Sequence, residues 1–421
     1  MRIFYSLFFY TLVPLILLRL LLRSRRAPAY RRRIRERFGF ITPISAPCLW
    51  VHAVSVGEVQ AARPLLAQLQ QRYPDHTLLV TTMTPTGAER VVALGGGIEH
   101  RYLPYDLPDA VQRFLRRTRP KACLIMETEL WPNLLHYCDR AGIPVVLVNA
   151  RMSERSARGY ARLGGFTRNA LSKLAMIAAQ TTADRERLIN LGAAPTQVQV
   201  TGSLKFDFAP PEDIAQHAAV LRAQWGNVRK IWIAASTHRG EDELILQAHA
   251  RVKQAVPEAL LVLVPRHPER FNEVAALCQG RGYQLVRRSA QRACEAATDI
   301  FLGDSMGELM LFFAAADVAF VGGSLVPTGG HNLLEPASLG KPVLTGPHMF
   351  NFTEIHRQLL EAGASREVRD PAALAEAVIE LLRNEAERQR MGENGRRLVE
   401  QNRGALGRVM VLVEAVLGAG G

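Results

Sequence analysis

Short unbroken apolar runs and longer amphipathic stretches take turns along this chain. The runs CLWVHAVS (48–55), TLLVTTM (77–83), ACLIME (122–127), PVVLVNA (144–150), MIAAQ (176–180) and VQVTG (198–202) have the length and the apolar, largely aliphatic content of strands buried on both faces. Between them, apolar residues recur at helical spacing and predict helices over 58–72, 86–94, 131–141 and 182–191. Strands of this kind separated by helices predict a parallel sheet with helices on both sides. Two prolines in FDFAPPED (206–213) interrupt the pattern, and the segment reads as a linker or hinge. The alternation resumes with KIWIAAS (230–236), LLVLVPR (260–266), YQLVRR (283–288), DIFLGD (299–304), VAFVGGS (318–324) and PVLTG (342–346), and helical segments run from Pro371 onward. The pattern predicts an α/β protein of two doubly wound, Rossmann-like domains facing a cleft, the first over residues 38–208 and the second over 209–421.

The first 37 residues follow a different rule. Residues 3–18, IFYSLFFYTLVPLILL, are uncharged and almost wholly apolar, and Leu20, Leu21 and Leu22 extend the run past Arg19. A bilayer-spanning helix needs about 20 apolar residues, so the length is marginal; Arg19 can snorkel and Pro14 can kink the helix. A cleaved signal peptide fits poorly, because the positive charge follows the apolar run and no small-residue cleavage site closes it. Burial as a core helix is disfavoured by the arginines that come after.

Charge sharpens this picture. Of a formal net charge of +13, residues 1–37 carry +9, ten arginines against the single acid Glu36. Basicity confined to one end points to anionic lipid headgroups and not to a nucleic-acid groove, and the positive-inside rule puts the domains on the cytoplasmic side. Residues 1–37 are therefore expected to form a single N-terminal membrane anchor with a basic flank. Composition adds two exclusions: 48% hydrophobic and 22% charged residues over 421 positions rule out a disordered or collagen-like chain. Five scattered cysteines (48, 123, 138, 278, 294) form no CxxC pair and no metal spacing, as suits a reducing compartment.

Chemistry is expected where strands end and helices begin, since ligands in such sheets bind at the carboxyl ends of strands. Four junctions place a capping residue three positions before a glutamate: Ser55 and Glu58, Thr86 and Glu89, Ser305 and Glu308, Asn332 and Glu335. Each could be a capping box that only starts a helix, and that reading is adopted for Glu89. The segment VGGSLVPTGGHNLLEPASLGKPVLTG (321–346) has more around it. Gly322 and Gly323 would let the backbone approach a phosphate, His331 and Asn332 could donate hydrogen bonds, and Glu335 could accept them from ribose hydroxyls. Ordinary turns are the alternative for the glycines. Pro265, Arg266 and His267 after a buried strand supply a cationic cluster suited to phosphate, or else a surface loop.

WVHAVSVGEVQAARPLL, METELWPNLL (126–135), GSLKFD (202–207), ASTHRGEDE (235–243), LVPRHPERF (263–271) and GGSLVPTGGHNLLEPA (322–337) together carry a resemblance. The chain is similar to the Kdo transferases of Gram-negative bacteria, which move 3-deoxy-D-manno-octulosonic acid from CMP-Kdo onto a lipid A precursor. The similarity runs through essentially the whole chain. It implies a two-domain glycosyltransferase-B architecture, the donor CMP-Kdo, the acceptor lipid IVA, no cofactor, and a place on the cytoplasmic face of the inner membrane. By the same resemblance the general base falls on Glu58, while Glu129 and Lys205 support the transition state. Pro265, Arg266 and His267, then Met306, Gly307 and Glu308, and finally Gly330, His331, Asn332, Leu333, Leu334 and Glu335 fall on the CMP-binding segments. No Asp-x-Asp metal loop stands at a strand end, so an inverting, metal-independent transfer is expected.

Two other readings compete. One is a different transferase, or an epimerase, of the same fold, which UDP and not CMP would protect from unfolding. The other is a membrane-tethered nucleotide-sugar binding protein without catalysis, against which the joint presence of Glu58, Glu129 and Lys205 argues.

Overall fold

The computed structural model describes residues 1–25, 27–208 and 210–418. Arg26 of the basic flank, Ala209 at the expected start of the second domain, and residues 419–421 lie outside the described residues. The chain divides into two compact units, Met1–Phe208 with Asn402–Gly421, and Ala209–Gln401.

The first unit holds, among the described residues, a seven-stranded sheet: β1 (Cys48–His52), β2 (Thr77–Thr82), β3 (Glu99–Tyr102), β4 (Pro120–Met126), β5 (Val145–Ala150), β6 (Met176–Ala179) and β7 (Val198–Val200). All pair in parallel in the order β3-β2-β1-β4-β5-β6-β7. Successive residues of β1 face opposite sides: Cys48 and Trp50 pack into one core layer, Leu49 and Val51 into the other. That double burial is why the strand reads as an unbroken apolar run. The edge strand β3, sequence EHRY, gives no such signal, because one of its edges lacks a strand neighbour and it mixes charged with aromatic residues.

The helices of this unit that matter below are α1 (Arg2–Ser24), α2 (Val56–Arg72), α3 (Pro85–Val92), α4 (Pro108–Thr118), α5 (Pro132–Arg140), α6 (Glu154–Arg162) and α7 (Gly165–Leu171). Proline opens α3, α4 and α5, a position where its fixed φ suits the first turn and its missing N–H is not needed. The capping box expected from Thr86 and Glu89 does not form. Thr84 is the N-cap, its hydroxyl accepting from the Gly87 N–H at 3.1 Å, so the helix starts one residue earlier, on Pro85. The helix α1 runs unbroken through Pro14.

The second unit repeats the architecture with β8 (Ile231–Thr237), β9 (Leu260–Pro265), β10 (Leu285–Arg287), β11 (Ile300–Leu302), β12 (Val318–Val321), β13 (Val343–Thr345) and β14 (Ser365–Glu367). Their order is β10-β11-β9-β8-β12-β13-β14, again all parallel.

The expected second domain, 209–421, is too long at its end. The last helix, Ala405–Gly418, inserts Val409, Met410, Leu412 and Val413 into the apolar layer formed by β1, β2, β4 and α2, so residues 402–421 belong to the first unit. The expected linker 206–213 begins later too, since Phe206 is only 2% exposed within the first unit. Asp207 ties the two chain segments together: its carboxylate accepts from the Gly404 N–H at 2.6 Å and from the Leu406 N–H, capping the last helix from almost 200 residues away. Replacing Asp207 with Ala should cost about 0.5–2 kcal/mol, the usual value of a lost cap. Hydrogen exchange should show this as faster exchange confined largely to the last helix. Exchange in that helix unchanged from the parent would mean apolar packing alone holds it.

Candidate functional site

In the first sheet the strand order reverses between β1 and β4, and the two chains leaving that point run to opposite faces. Three candidate residues meet there. The chain leaves β1 through Ala53 and Val54 and enters α2 with Ser55 as N-cap, which puts Glu58 in the first turn. The Glu58 carboxylate accepts from the Val54 N–H at 2.7 Å, and the Ser55 hydroxyl reaches its other oxygen at 3.3 Å. Ser55 itself caps no backbone N–H. The capping box is thus half formed, and its glutamate is the half that points toward the strand ends. Burial, with added repulsion from Glu127 and Glu129, pushes the Glu58 carboxyl up to about 7 against the opposing pull of the Val54 N–H.

The neighbouring strand β4 ends at Met126, and Glu127 turns sharply out of it at φ 56°, held by a 2.8 Å hydrogen bond from its N–H to the Val148 carbonyl. That left-handed residue breaks the strand alternation by which Glu127 and Glu129 would share a face. Glu129 lies instead in the wall of a cavity of about 300 Å³ lined also by Tyr5, Trp131, Tyr160, Leu163 and Phe166. This largely apolar burial, with the charge of Glu127 added, holds the Glu129 carboxyl above its ordinary value.

Lys205 comes from the far edge of the sheet. After β7 the chain doubles back over the strand ends, fixed by the buried Leu204 and Phe206 and by a 3.1 Å hydrogen bond from the Leu204 N–H to the Asn149 side chain. Lys205 Nζ then stands 3.4 Å from Glu127 Oε1. The structure therefore pairs Lys205 with Glu127, a residue the sequence did not single out, and not with Glu129. The result is a cluster of three carboxylates and one ammonium beside the switch point of the first sheet.

In the second unit the corresponding switch point lies between β8 and β12. The expectation that Gly322 and Gly323 leave their N–H groups for a phosphate fails. The Gly322 N–H bonds the Ala235 carbonyl, and the N–H groups of Gly323, Ser324 and Leu325 all donate to the buried carboxylate of Glu241, at 2.7, 3.0 and 2.9 Å. Glu241 also accepts from the His238 N–H at 3.2 Å and is fully buried. Here the protein supplies its own anion to the glycine loop. A β-carbon on Gly322 would stand 2.8–2.9 Å from Glu241 and from two carbonyl oxygens of β8, which is why a glycine sits there.

The groups left facing outward are cationic and aromatic. His331 stacks on His238 with 5.1 Å between ring centroids and 2.8 Å between their Nε2 atoms, so one ring donates to the other. Burial and the neighbouring cations hold both below the ordinary histidine range, His331 to about 4. His267 packs edge-on against His238. Arg266 follows β9, with its N–H on the Thr237 carbonyl. The Asn332 side chain accepts from the Leu334 N–H and donates to Glu335 at 3.1 Å, starting the short helix Leu334–Ser338. Leu333 and Leu334 are buried beneath it, and Pro265 is buried at the end of β9. Gly330, at φ 73°, presses its backbone against Met349, and its N–H is held by the Gly323 carbonyl. Met306 is exposed on a turn at Gly307, φ 85°, while Glu308 is gripped by Arg288 at 2.6 Å and by the Ser305 hydroxyl, which holds its carboxyl below the usual range. His238, Glu241 and Glu127 are the residues sequence reasoning passed over. All three lie one to four residues past a strand end, Glu127 after β4 and His238 and Glu241 after β8, in segments already singled out.

Comparison with known proteins bears on both units. Residues 32–208 match the family model described as 3-deoxy-D-manno-octulosonic-acid transferase, and residues 228–398 match the one for glycosyl transferases group 1. The chain is 46% identical to the 3-deoxy-D-manno-octulosonic acid transferase of Haemophilus influenzae, with 99% of each chain covered. It is 40% identical to that of Bordetella pertussis, over 98% of this chain and 99% of the other. Among solved structures, the UDP-GlcNAc 2-epimerase of Neisseria meningitidis bound to UDP-GlcNAc aligns over 87% of this chain and 99% of its own, with a TM-score of 0.56 and 14% identity, a likeness of fold alone. The two parallel α/β units have the glycosyltransferase-B architecture. With near-complete coverage at up to 46% identity, the chain belongs to the 3-deoxy-D-manno-octulosonic acid transferase family.

Proposed function

We propose that this protein is an inverting glycosyltransferase that moves Kdo from CMP-Kdo to a hydroxyl of a lipid A precursor, lipid IVA, in lipopolysaccharide core assembly. The observation that carries the mechanism is Glu58: a carboxylate at a strand-end helix start, raised to about 7 among other carboxylates, which suits a base working near neutral pH. Glu58 takes the proton of the acceptor hydroxyl as the hydroxyl oxygen bonds to the anomeric carbon. The bond from that carbon to the phosphate oxygen breaks, and CMP leaves with the electron pair. Lys205, beside Glu127, offers a positive charge to the donor's carboxylate, and Lys205 and Glu129 support the transition state. In the second unit Arg266 and the histidine set of 238, 267 and 331 meet the nucleotide phosphate, with Glu335 and Asn332 available to ribose hydroxyls.

The acceptor is a lipid, so we place the enzyme at the cytoplasmic face of the inner membrane, held there by residues 1–37. Support comes from the apolar, largely exposed helix α1 and the arginines exposed behind it.

Mass measurement of the product from CMP-Kdo and a tetraacylated lipid A precursor tests the whole reading; no mass gain would overturn it. Glu58→Gln should keep the fold and CMP binding yet lose about 10²–10⁴ in transfer rate. Near-normal turnover in that variant would reduce Glu58 to a helix cap.

The pH dependence has a definite sign. Glu58 works ionised, so transfer should rise through about pH 7 and level off above it. Glu127→Gln removes a neighbouring like charge and should move that rise to lower pH, whatever it does to the maximal rate. A limb centred near the ordinary glutamate value of 4.5 in the parent enzyme would contradict the assignment.

Arg266→Ala should weaken CMP binding by about 1.5–3 kcal/mol, the value of a charge-assisted hydrogen bond, in a titration calorimeter. An unchanged affinity would put Arg266 outside the donor site.

A further inference from the structure

The N-terminal helix is held to the first unit at both of its ends. At its start, Arg2 and Ser6 both bond the buried Asn133 side chain, at 3.2 and 3.1 Å. The Tyr5 hydroxyl faces the buried carboxylate of Asp106, and the Tyr5 ring lies 5.7 Å from that of Phe166 in α7. One turn later the Tyr10 hydroxyl donates to Asp109 at 2.6 Å. Through the middle, Phe9, Val13, Ile16 and Leu17 pack on Tyr105, Leu107 and Ala110. At its end Leu20 and Ser24 are buried, and Ser24 accepts from Arg31. Twenty-three residues at about 1.5 Å each make a rod of roughly 34 Å, and it lies along the unit for its whole length.

The opposite face is bare and apolar. Ile3, Phe4, Leu7, Phe8, Leu15, Leu18 and Leu22 recur at helical spacing, each at least half exposed. Arginines bracket this stripe at both ends. Arg19 is exposed within its last turn and a half, and Arg23, Arg25, Arg31, Arg32 and Arg35 are exposed behind its C-terminal end. Near its N-terminal end, α6 and α7 carry exposed Arg155, Arg158, Arg162 and Arg168 on the same short segments whose Tyr160, Leu163 and Phe166 share a cavity wall with Tyr5.

We infer that α1 lies in the plane of an anionic bilayer surface as a monotopic element and does not cross it. A spanning helix of this length would carry its first turn about 30 Å from the face where its last turn sits. That would tear Arg2, Tyr5 and Ser6 away from Asn133 and Asp106 and leave a buried carboxylate and a buried amide without those partners. In the plane, every one of those contacts survives. The bare stripe enters the boundary between headgroups and acyl chains, and positive charge at both ends meets the same leaflet. A span with cations clamped at both ends would put one set on the wrong side. The inference rests on the membrane-surface reading above and fixes how that surface is met.

The test uses the full-length enzyme, with Met1 followed by an added cysteine tag and Cys294, the one native cysteine that is not buried, changed to Ser. A membrane-impermeant maleimide is applied to sealed inverted inner-membrane vesicles and to intact spheroplasts. Labelling in inverted vesicles and none in spheroplasts is the expected result. Labelling in spheroplasts alone would show a crossing and overturn the inference. In parallel, Phe4→Asp with Phe8→Asp should lower binding to anionic liposomes at least about tenfold while leaving the melting temperature unchanged, since both side chains are mostly exposed. Liposome binding that survives both changes would overturn it, as would a detergent-free dimer that buries the stripe against a second copy. Failure of the parent enzyme to bind anionic liposomes at all would instead overturn the membrane reading beneath it, while product mass would still report on the transfer reaction.

Discussion

Every strand in both sheets runs the same way, and most of what this molecule can do follows from that. A parallel pair cannot be closed by a tight turn, so each strand is followed by a crossover that carries the chain back to the sheet's starting edge. All carboxyl ends therefore gather at one edge of each sheet. Where the strand order reverses, beside β1 and beside β8, successive crossovers depart to opposite faces and leave the strand ends uncovered. Glu127, His238 and Gly322 are in the short connections that leave the strands adjoining those two points, and Glu58 is in the first turn of the helix that follows β1. Local chemistry was fitted to openings that topology had already made.

Each opening is electrostatically prepared in its own way. In the first unit three carboxylates crowd together with a single lysine, and burial with the neighbouring like charges raises the carboxyls of Glu58 and Glu129. Such crowding costs stability at neutral pH and makes sense as a device for holding a base near neutrality. In the second unit the carboxylate of Glu241 is buried against four backbone N–H groups. It fixes the glycine loop before any ligand arrives, so recognition of an anion falls to side chains projecting beyond that loop. Glycine at 322 is explained by the space Glu241 occupies, and not by contact with a phosphate.

Much of this was legible in the sequence, for reasons that can be named. A strand covered on both faces is apolar at most of its positions, so β1, β4, β5, β8 and β9 announced themselves. The edge strands β3 and β14 carry Glu99, Arg101, Arg366 and Glu367, and had no reason to look like strands. The capping grammar put Glu58 in the first turn of α2 behind Ser55, as the structure has it, but it misplaced the start of α3, because Pro85 after Thr84 is as good a helix opening as Thr86 three before Glu89. Lys205 could be named by motif, while its partner could not. Its pairing with Glu127 depends on a left-handed turn at 127 and on a loop returning from the sheet edge, both tertiary facts. The return of the last helix to the first unit depends likewise on Asp207, whose reach across the chain leaves no local trace.

The same limit explains the N-terminal helix. Hydropathy averages around a helix, so a stripe meant for lipid and a stripe meant for protein add to one apolar total that passes for a bilayer span. What separates the two cases is where the few polar atoms point. A serine or a tyrosine in a lipid-surrounded helix satisfies its hydroxyl within the helix or against another helix in the bilayer. Here the hydroxyls of Tyr5 and Tyr10 turn toward Asp106 and Asp109 of the folded unit, and Ser6, within reach of the Arg2 carbonyl of its own helix, also reaches the Asn133 side chain. Of these, Ser6 and Tyr5 share the face with the aliphatic residues that pack there, and Tyr10 lies at its margin. A helix whose polar atoms are committed to one globular body has only its remaining face to offer to a membrane. The arginines at both ends of that face then act from a single leaflet.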